Sequence, residues 1–554
     1  MYAIEINQLS KNFGEDDVIN VEELNIETGQ RIGIVGANGA GKTTLLKLIS
    51  KEILPDAGQV KVNIPMAYWS QREAPVTKII SQEMASRFGV PVIWRNDLSG
   101  GEKARFKAAV AFQHQVPLML VDEPTTNLDM EGIEQLEQHF LRYKGTLLLV
   151  SHDRQLLDAL CHHILEVEAG KIRLYKGNYS EYAHQKEAEL NRQQVEFETY
   201  QQEKRRLKKA ILETKEKSAG IRKTPSRMGN SEARLHKMGN QSAKKNLDQS
   251  ANRLKTRMKQ LEVKEKPLRL TPIQLELEEE NSLHKRDVVQ VEQLSFGYGN
   301  LQLFHKASFR LENNSRTALL GPNGCGKSTL IRLILKGHPD IRLANKARVG
   351  YFDQQMKILN TERTILENVM EDARMSETTA RILLAKFLFP GEDVHKKVEV
   401  ISGGEGVKVS LAKILLQGFN LLILDEPTNH LDIPSMNAVE EALKAYEGTL
   451  LLVSHDRHLI TKVANRILLV ENQQVHSFIG SYENFRNQRE KQKDLDFSEA
   501  GKQKEERLMV LENRMTQLIS RLSAPSAKED IVALDAEYQE VLNAIKALKG
   551  SSKA

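Results

Sequence analysis

Residues 36–44 read GANGAGKTT, and residues 321–329 read GPNGCGKST. Each follows a short apolar run, RIGIV at 31–35 and RTALL at 316–320. A GxxxxGK[ST] loop after a buried strand turns its backbone N–H groups inward and cradles phosphate oxygens. Gly36, Gly39 and Gly41 in the first loop, and Gly321, Gly324 and Gly326 in the second, permit that turn. Asn38, Thr44, Asn323 and Thr329 complete the two loops. Lys42 and Lys327 are placed to reach the outer phosphates, and Thr43 and Ser328 to ligate Mg²⁺. A Gly-rich turn after a strand is common; the complete pattern occurring twice is not.

The surroundings of the two loops also repeat. LSGGE at 98–102 returns as ISGGE at 401–405, and LMLVDEPTTNLD, ending at Asp129, returns as LLILDEPTNHLD, ending at Asp432. LLLVSHDR, ending at Arg154, returns as LLVSHDR, ending at Arg457. Ser99 to Asp122 and Ser402 to Asp425 are both 23 positions, and each Asp precedes its SHD histidine by 30. Order, identity and spacing agree, so the chain holds two homologous domains.

The chemistry of each repeat follows from its setting. A buried parallel strand delivers Asp122 or Asp425 to a metal, with Glu123 or Glu426 next, placed to orient a water. Without the phosphate loops these acid pairs would read as strand ends meeting solvent. His152 and His455, each ending the following strand, read as γ-phosphate contacts, although either alone would pass for an ordinary histidine. Gln71 and Gln354 end short strands (MAYWSQ, VGYFDQ) and can join metal and attacking water. Phe13 and Tyr298 each stand 29 positions before the loop lysine. They either stack on adenine or cover a strand.

Composition bounds the remainder. The 554 residues allow three or four domains, and 40% hydrophobic with 28% charged residues is ordinary for a soluble protein. No apolar run reaches the roughly 18 residues of a membrane helix, and the N-terminus lacks a signal-peptide pattern. Cys161 and Cys325 offer no disulfide framework and suit a reducing cytoplasm. The net charge of +5 conceals a strong local bias. Residues 204–259 carry 18 Lys/Arg against four Asp/Glu, so the rest of the chain is net acidic. A cationic segment on an acidic protein points to a polyanionic partner.

That segment lies between the two domains and reads as helix. Leu190, Phe197, Leu207 and Ile211 mark one apolar stripe; Leu247, Ala251, Leu254, Met258 and Leu261 mark another. Joined by the Gly/Pro-containing stretch KEKSAGIRKTPSRMGN (215–230), they make an antiparallel helical hairpin. Its first helix, Tyr182 to Lys217, would be about 50 Å long. After the second domain, residues 501–548 carry Leu508, Leu511, Met515, Leu518 and Leu522, then a capping box at Ser526–Glu529 and a second stripe. This pair is either a structural or self-association element or a further contact surface.

The motif set, with SGGE between phosphate loop and DEP strand, resembles the ABC ATPase family. The resemblance implies α/β P-loop ATPase domains that dimerise head to tail around ATP. Ser402 and Gly404 would then complete the site of Lys42, and Ser99 and Gly101 that of Lys327. Two such domains joined by a long helical linker are similar to the ABC-F subfamily. The implied plan is ABC domain 1 at 1–181, linker 182–286 with its tip near 217–230, ABC domain 2 at 287–490, and a helical extension at 491–554.

In that subfamily the linker enters the ribosomal E site and points toward the peptidyl-transferase centre, so 23S rRNA and P-site tRNA are the implied partners. Arg205, Lys208, Lys217, Ile221, Arg222, Lys223, Thr224, Arg227, Lys244 and Lys245 are the candidate RNA contacts, giving affinity with little sequence choice. The bland reading is a solvated basic linker. Gln71 to Ser99 spans 28 positions where Gln354 to Ser402 spans 48, which leaves no room for the arm of housekeeping ABC-F factors. The pattern is more similar to the antibiotic-resistance members, particularly the Vga type, which act on lincosamides, pleuromutilins and streptogramin A.

Two departures bear on the sites: DEPTTNLD in place of DEPTNHLD puts Thr126 and Asn127 in the interface loop, and Gly406 replaces a basic residue after Glu405. A housekeeping translation factor, a Uup-like DNA-binding ATPase and a transporter's energy-coupling subunit are the alternatives. The expected protein is a cytoplasmic ATPase using ATP and Mg²⁺, monomeric, with its two domains forming a pseudo-dimer.

Overall fold

The computed structural model describes the chain except residues 15, 72, 76, 221–229, 265–285, 354–357, 524–530 and 551–554. Within helices and strands, the side chains of 16, 230–241, 493–508, 520–523, 531–534 and 546–550 are likewise outside the description. Gln354, Ile221, Arg222, Lys223, Thr224, Arg227 and the expected capping box at Ser526–Glu529 all fall in the undescribed stretches.

Each domain is built on a six-stranded sheet. In the first, the order is Met66–Trp69, Leu118–Asp122, Thr146–Val150, Arg31–Val35, His163–Glu168, Lys171–Lys176; in the second, Val349–Phe352, Leu421–Asp425, Thr449–Val453, Arg316–Leu320, Arg466–Glu471, Gln474–Ile479. All neighbours are parallel except the last pair of each sheet. The central strands LMLVD, TLLLV and RIGIV are buried almost throughout, which is why they read as unbroken apolar runs rather than alternating ones. A three-stranded antiparallel sheet, with two 12-residue strands, flanks each core sheet.

The domains differ between the short strand and the SGGE helix. Among the described residues the first domain holds one helix there, Gln82–Phe88. The second holds Ile365–Met370 and Glu377–Lys386 plus two 3-10 turns, packed on a larger apolar cluster. The shorter spacing thus corresponds to a reduced helical subdomain.

The linker's first helix runs from Tyr179 to Ala219, 41 residues or about 60 Å. It starts three residues earlier than the expected Tyr182, because Asn178 and Glu181 form a capping box. The second helix is Asn230–Gln260. Ion pairs Glu203–Arg257 and Glu196–Lys264, with Ser218 Oγ donating to Asp248, fix the pair as antiparallel. Leu207, Ile211 and Ala251 are buried between the helices.

After the second domain one helix, Tyr482–Ser523, continues out of the fold and is followed by Ile531–Gly550. Expected divisions at 181/182 and 490/491 therefore fall inside continuous helices. Among the described residues no helix is long and apolar enough to cross a membrane.

Candidate nucleotide sites at the domain interface

Both phosphate loops end in a helix N-terminus, Lys42–Ile49 and Lys327–Lys336, entered through left-handed Gly41 and Gly326. Such an end presents unpaired N–H groups and the positive pole of the helix. Gly36 and Gly321 have φ of 155° and 151°, and a Cβ there would meet Val167 O at 2.3 Å or Val470 O at 2.6 Å. Only glycine fits. Over Gly39 and Gly324, by contrast, nothing lies within 4 Å, so the mouths of the loops are open. Lys42 Nζ donates to Gly36 O and Ala37 O, both at 2.8 Å, and Lys327 Nζ to Gly321 O and Pro322 O. These ammonium groups rest on their own loops, where a phosphate oxygen is the natural competing partner. Burial pushes Lys42 below its ordinary range.

The acid pairs sit at the ends of the strands that carry them. Asp122 is buried. Ser328 Oγ donates to Asp425 Oδ2 at 3.0 Å, which brings together two of the three side chains expected to hold a metal in the second domain. Thr43 lines a cavity alongside Asp122 and Gln71, and Gln71 Nε2 donates weakly to Thr126 Oγ1 at 3.4 Å. A hydroxyl beside a carboxylate, below an open phosphate cradle, is a donor set suited to Mg²⁺.

Glu123 and Glu426 adopt left-handed backbone, φ 49° and 53°, an uncommon conformation for non-glycine residues. Their N–H groups donate back to Val150 O and Val453 O, so the strained step is held by the neighbouring strand. It swings each side chain toward the histidine. His152 N donates to Glu123 Oε2 and His455 N to Glu426 Oε2, at 3.4 and 3.2 Å. The ring Nε2 atoms lie 3.2 and 3.4 Å from the other carboxylate oxygens, which make no aligned hydrogen bond; neither does either ring's Nδ1. Burial, then the nearby Asp122, pushes Glu123 up to about 8, and burial pushes Glu426 up to about 8. Burial and the loop lysines push His152 down to about 3 and His455 to about 4. Each site therefore pairs a neutral imidazole with a carboxyl poised near neutral pH, an arrangement suited to moving a proton.

The two domains face each other head to tail. Asn38 N donates to Asp432 Oδ2 at 2.9 Å and Asn38 Nδ2 to His430 O at 2.8 Å; Asn323 N donates to Asp129 Oδ2 at 2.9 Å and Asn323 Nδ2 to Asn127 O at 3.2 Å. Ser99 and Ser402 cap the SGGE helices through capping boxes with Glu102 and Glu405. The helix of Ser402 and Gly404 thereby points at the loop of Asn38, and that of Ser99 and Gly101 at Asn323; a Cβ on Gly404 would lie 3.4 Å from Asn38 Nδ2. A cavity of about 1510 Å³ runs along this seam, lined by Lys42, Thr43, Thr44, Gln71, Asp122, Glu123, His152, Ser402, Gly404 and His455 among others. Lys327, Ser328 and Thr329 do not line it. Phe13 and Tyr298 are both exposed, 54% and 55%.

Four partners were missed by sequence reasoning. Asp129 and Asp432 were present as the last letters of the repeated DEP stretch, and Arg154 and Arg457 as the last of SHDR. The repeat was a signal, but no spacing reveals a bond between residues 394 positions apart.

A family model described as ABC transporter matches residues 19–87 and 304–429, and a second, described in the same words, matches 165–270. The chain is 30% identical over 570 residues to the putative ATP-binding protein YdiF of Bacillus subtilis, covering 90% of this chain and 84% of that one. It is 29% identical to the ribosome protection protein VmlR of Bacillus subtilis, over 99% of both. It is 30% identical to the erythromycin resistance ATP-binding protein MsrA of Staphylococcus epidermidis, over 86% of this chain and 99% of that one. Among solved structures, an archaeal ribosome recycling factor in complex with a stalk protein shares the fold, with a TM-score of 0.58 at 19% identity, over 87% and 91% of the chains. With two complete ATPase domains and a helical insert between them, the chain belongs to the ABC-F subfamily of ABC ATPases and is an ATP-hydrolysing enzyme.

Proposed function

We propose that this ATPase is a ribosome-protection factor that shields the bacterial ribosome from drugs acting at the peptidyl-transferase centre, in the lincosamide, pleuromutilin and streptogramin A classes. The observation that carries the reading is the linker. A 41-residue helix projects from the first domain with Arg205, Lys208 and Lys217 exposed, and its antiparallel partner exposes Lys244 and Lys245. A tether between two touching domains needs nothing so long or so cationic, whereas a probe into an RNA cavity needs both. The reduced first helical subdomain and the ribosome-protection and resistance relatives support the same reading. The linker enters by the E site, its tip reaching 23S rRNA and P-site tRNA.

ATP binds between the loop of one domain and the SGGE helix of the other and stabilises the closed pair, which is the docking form. Thr43, Asp122 and Gln71 in one site, and Ser328 and Asp425 with Gln354 in the other, would hold Mg²⁺, which would neutralise phosphate charge when bound. Lys42 and Lys327 leave their loop carbonyls for phosphate oxygens. Glu123 and Glu426 accept the proton of the attacking water, while neutral His152 and His455 hold the carboxyl and the outer phosphate in register. Phe13 and Tyr298, both exposed, offer the adenine a stacking face. Loss of the γ-phosphate weakens closure and releases the factor.

The test is a Glu123→Gln, Glu426→Gln double variant sedimented with bacterial ribosomes in ATP or ADP. Pelleting in ATP alone, with drug-inhibited translation restored by the parent protein, supports the proposal. A variant that binds ATP and never pellets refutes it.

A further inference from the structure

The repeat extends beyond its last motif. Arg154 and Arg457 each precede by 25 positions the tyrosine, Tyr179 or Tyr482, that opens a long helix leaving the domain. Both arginines are buried and both cross the interface. Arg154 Nη1 donates to Glu440 Oε1 at 2.7 Å and lies 2.6 Å from His458 Nδ1. Arg457 donates through both Nη atoms to Glu137 Oε2 at 3.2 Å, with Asp153 Oδ2 at 3.4 Å. Such pairs exist only while the domains are closed, and each stands two residues after the histidine that faces the catalytic carboxyl. Buried guanidinium groups are costly without their partners, so opening must move the short helices that carry them.

What these helices do next differs between the halves. Arg154 begins the helix Arg154–Leu160. One turn along it, Asp158 holds the root of the linker: Oδ1 accepts from Ser180 N at 2.7 Å and Oδ2 from Ser180 Oγ at 2.6 Å. The equivalent positions in the second domain are Thr461 and Glu483, and Thr461 Oγ1 donates instead to Arg457 O within its own helix. Interface and linker are thus fastened to opposite ends of a single turn in the first domain.

We propose that the helix Arg154–Leu160 is a transmission element, in which Arg154 registers closure of the two domains and Asp158 with Ser180 passes that movement to the linker helix. All three are positioning residues. The inference goes beyond ribosome protection and does not depend on it, since domain closure and linker movement are both measurable without a ribosome.

The experiment uses spin-label distances in the full chain carrying Glu123→Gln and Glu426→Gln. Cys325→Ala is added, as the first loop has Ala40 there, and the fully buried Cys161 is left. One label pair, at exposed Ile93 and Val400, reports closure; the other, at exposed Leu54 and Leu212, reports the linker against its own domain. The parent is expected to shift both distributions with ATP. Asp158→Ala, at a half-buried site, should keep the closure shift and lose the linker shift; Ser180→Ala should reduce it. Arg154→Ala should raise the ATP concentration for half-closure about tenfold or more. A parent linker pair that ignores ATP, an Asp158→Ala variant whose linker pair shifts as in the parent, or one that loses closure as well, overturns the proposal. So does an unreduced shift in Ser180→Ala, or an Arg154→Ala variant that closes at the parent's ATP concentration.

Discussion

Asp432 does two things with its two oxygens, and a single substitution separates them. Oδ1 accepts from Ser435 N at 3.0 Å and caps the helix Ile433–Ala445; Oδ2 accepts from Asn38 N at 2.9 Å and joins the second domain to the first domain's phosphate loop. Although burial opposes ionisation, the hydrogen bonds from Ser435 and Asn38 hold this carboxyl below its ordinary range, so the interdomain bond is charge-assisted. Serine caps helices about as well as aspartate but is too short to span both partners. Asp432→Ser should therefore change folding stability by a few tenths of a kcal/mol and cost the closed state about 1.5–3 kcal/mol. That is about a 10- to 150-fold shift toward opening. The assay loads a fluorescent ATP analogue into the Glu123→Gln, Glu426→Gln protein and chases with ATP, because release requires opening. Release should accelerate by that factor with the melting temperature almost unmoved. A release rate within about twofold of the parent, well short of the tenfold minimum, refutes the interdomain role. A large fall in melting temperature refutes the claim that cap and bridge are separable.

Three further outcomes are expected. With the proposed bases Glu123 and Glu426 raised to about 8, their active form is the ionised one. The rate should therefore rise about tenfold from pH 7 to pH 9 in steady-state ATPase measurements, and a flat profile removes them as bases. Glu166 is buried and accepts from Tyr182, Tyr175 and Lys186, so Glu166→Ala should cost about 2–4 kcal/mol by calorimetry. Glu166→Leu with Tyr182→Phe should recover most of it, because the second domain has Leu469 and Phe485 at these places; no recovery means the cluster is not a local exchange. Replacing Arg205, Lys208 and Lys217 with Gln should flatten the slope of log affinity against log salt for ribosome binding by about 2 to 3, at about 0.7 to 0.9 per lost phosphate contact. An unchanged slope takes these side chains off the RNA.

What could be read of the candidate site from the sequence was whatever the two domains repeat. The loops of Lys42 and Lys327, the acid pairs and the histidines are local patterns whose spacing fixes their place at strand ends, and the structure brings them together there. The Asn178–Glu181 capping box was equally local, and it sets the start of the linker helix three residues before the expected Tyr182. Partners across the interface were beyond reach for a physical reason: Asn38 and Asp432 meet through the packing of two folded domains, and no periodicity encodes that. The departures from the repeat carry a different message. At the root of the linker, Asp158 faces Thr461 in the alignment of the halves, Glu166 faces Leu469, Tyr182 faces Phe485 and Ser180 faces Glu483. Each first-domain residue makes a polar bond that holds the linker helix, where the second domain packs Tyr482 and Phe485 in an apolar cluster. Apolar packing is non-directional and tolerates sliding, whereas these bonds fix an angle. The halves are thus alike where nucleotide binds and unlike where the long helices leave, as a machine requires when one of its two projecting arms must be aimed.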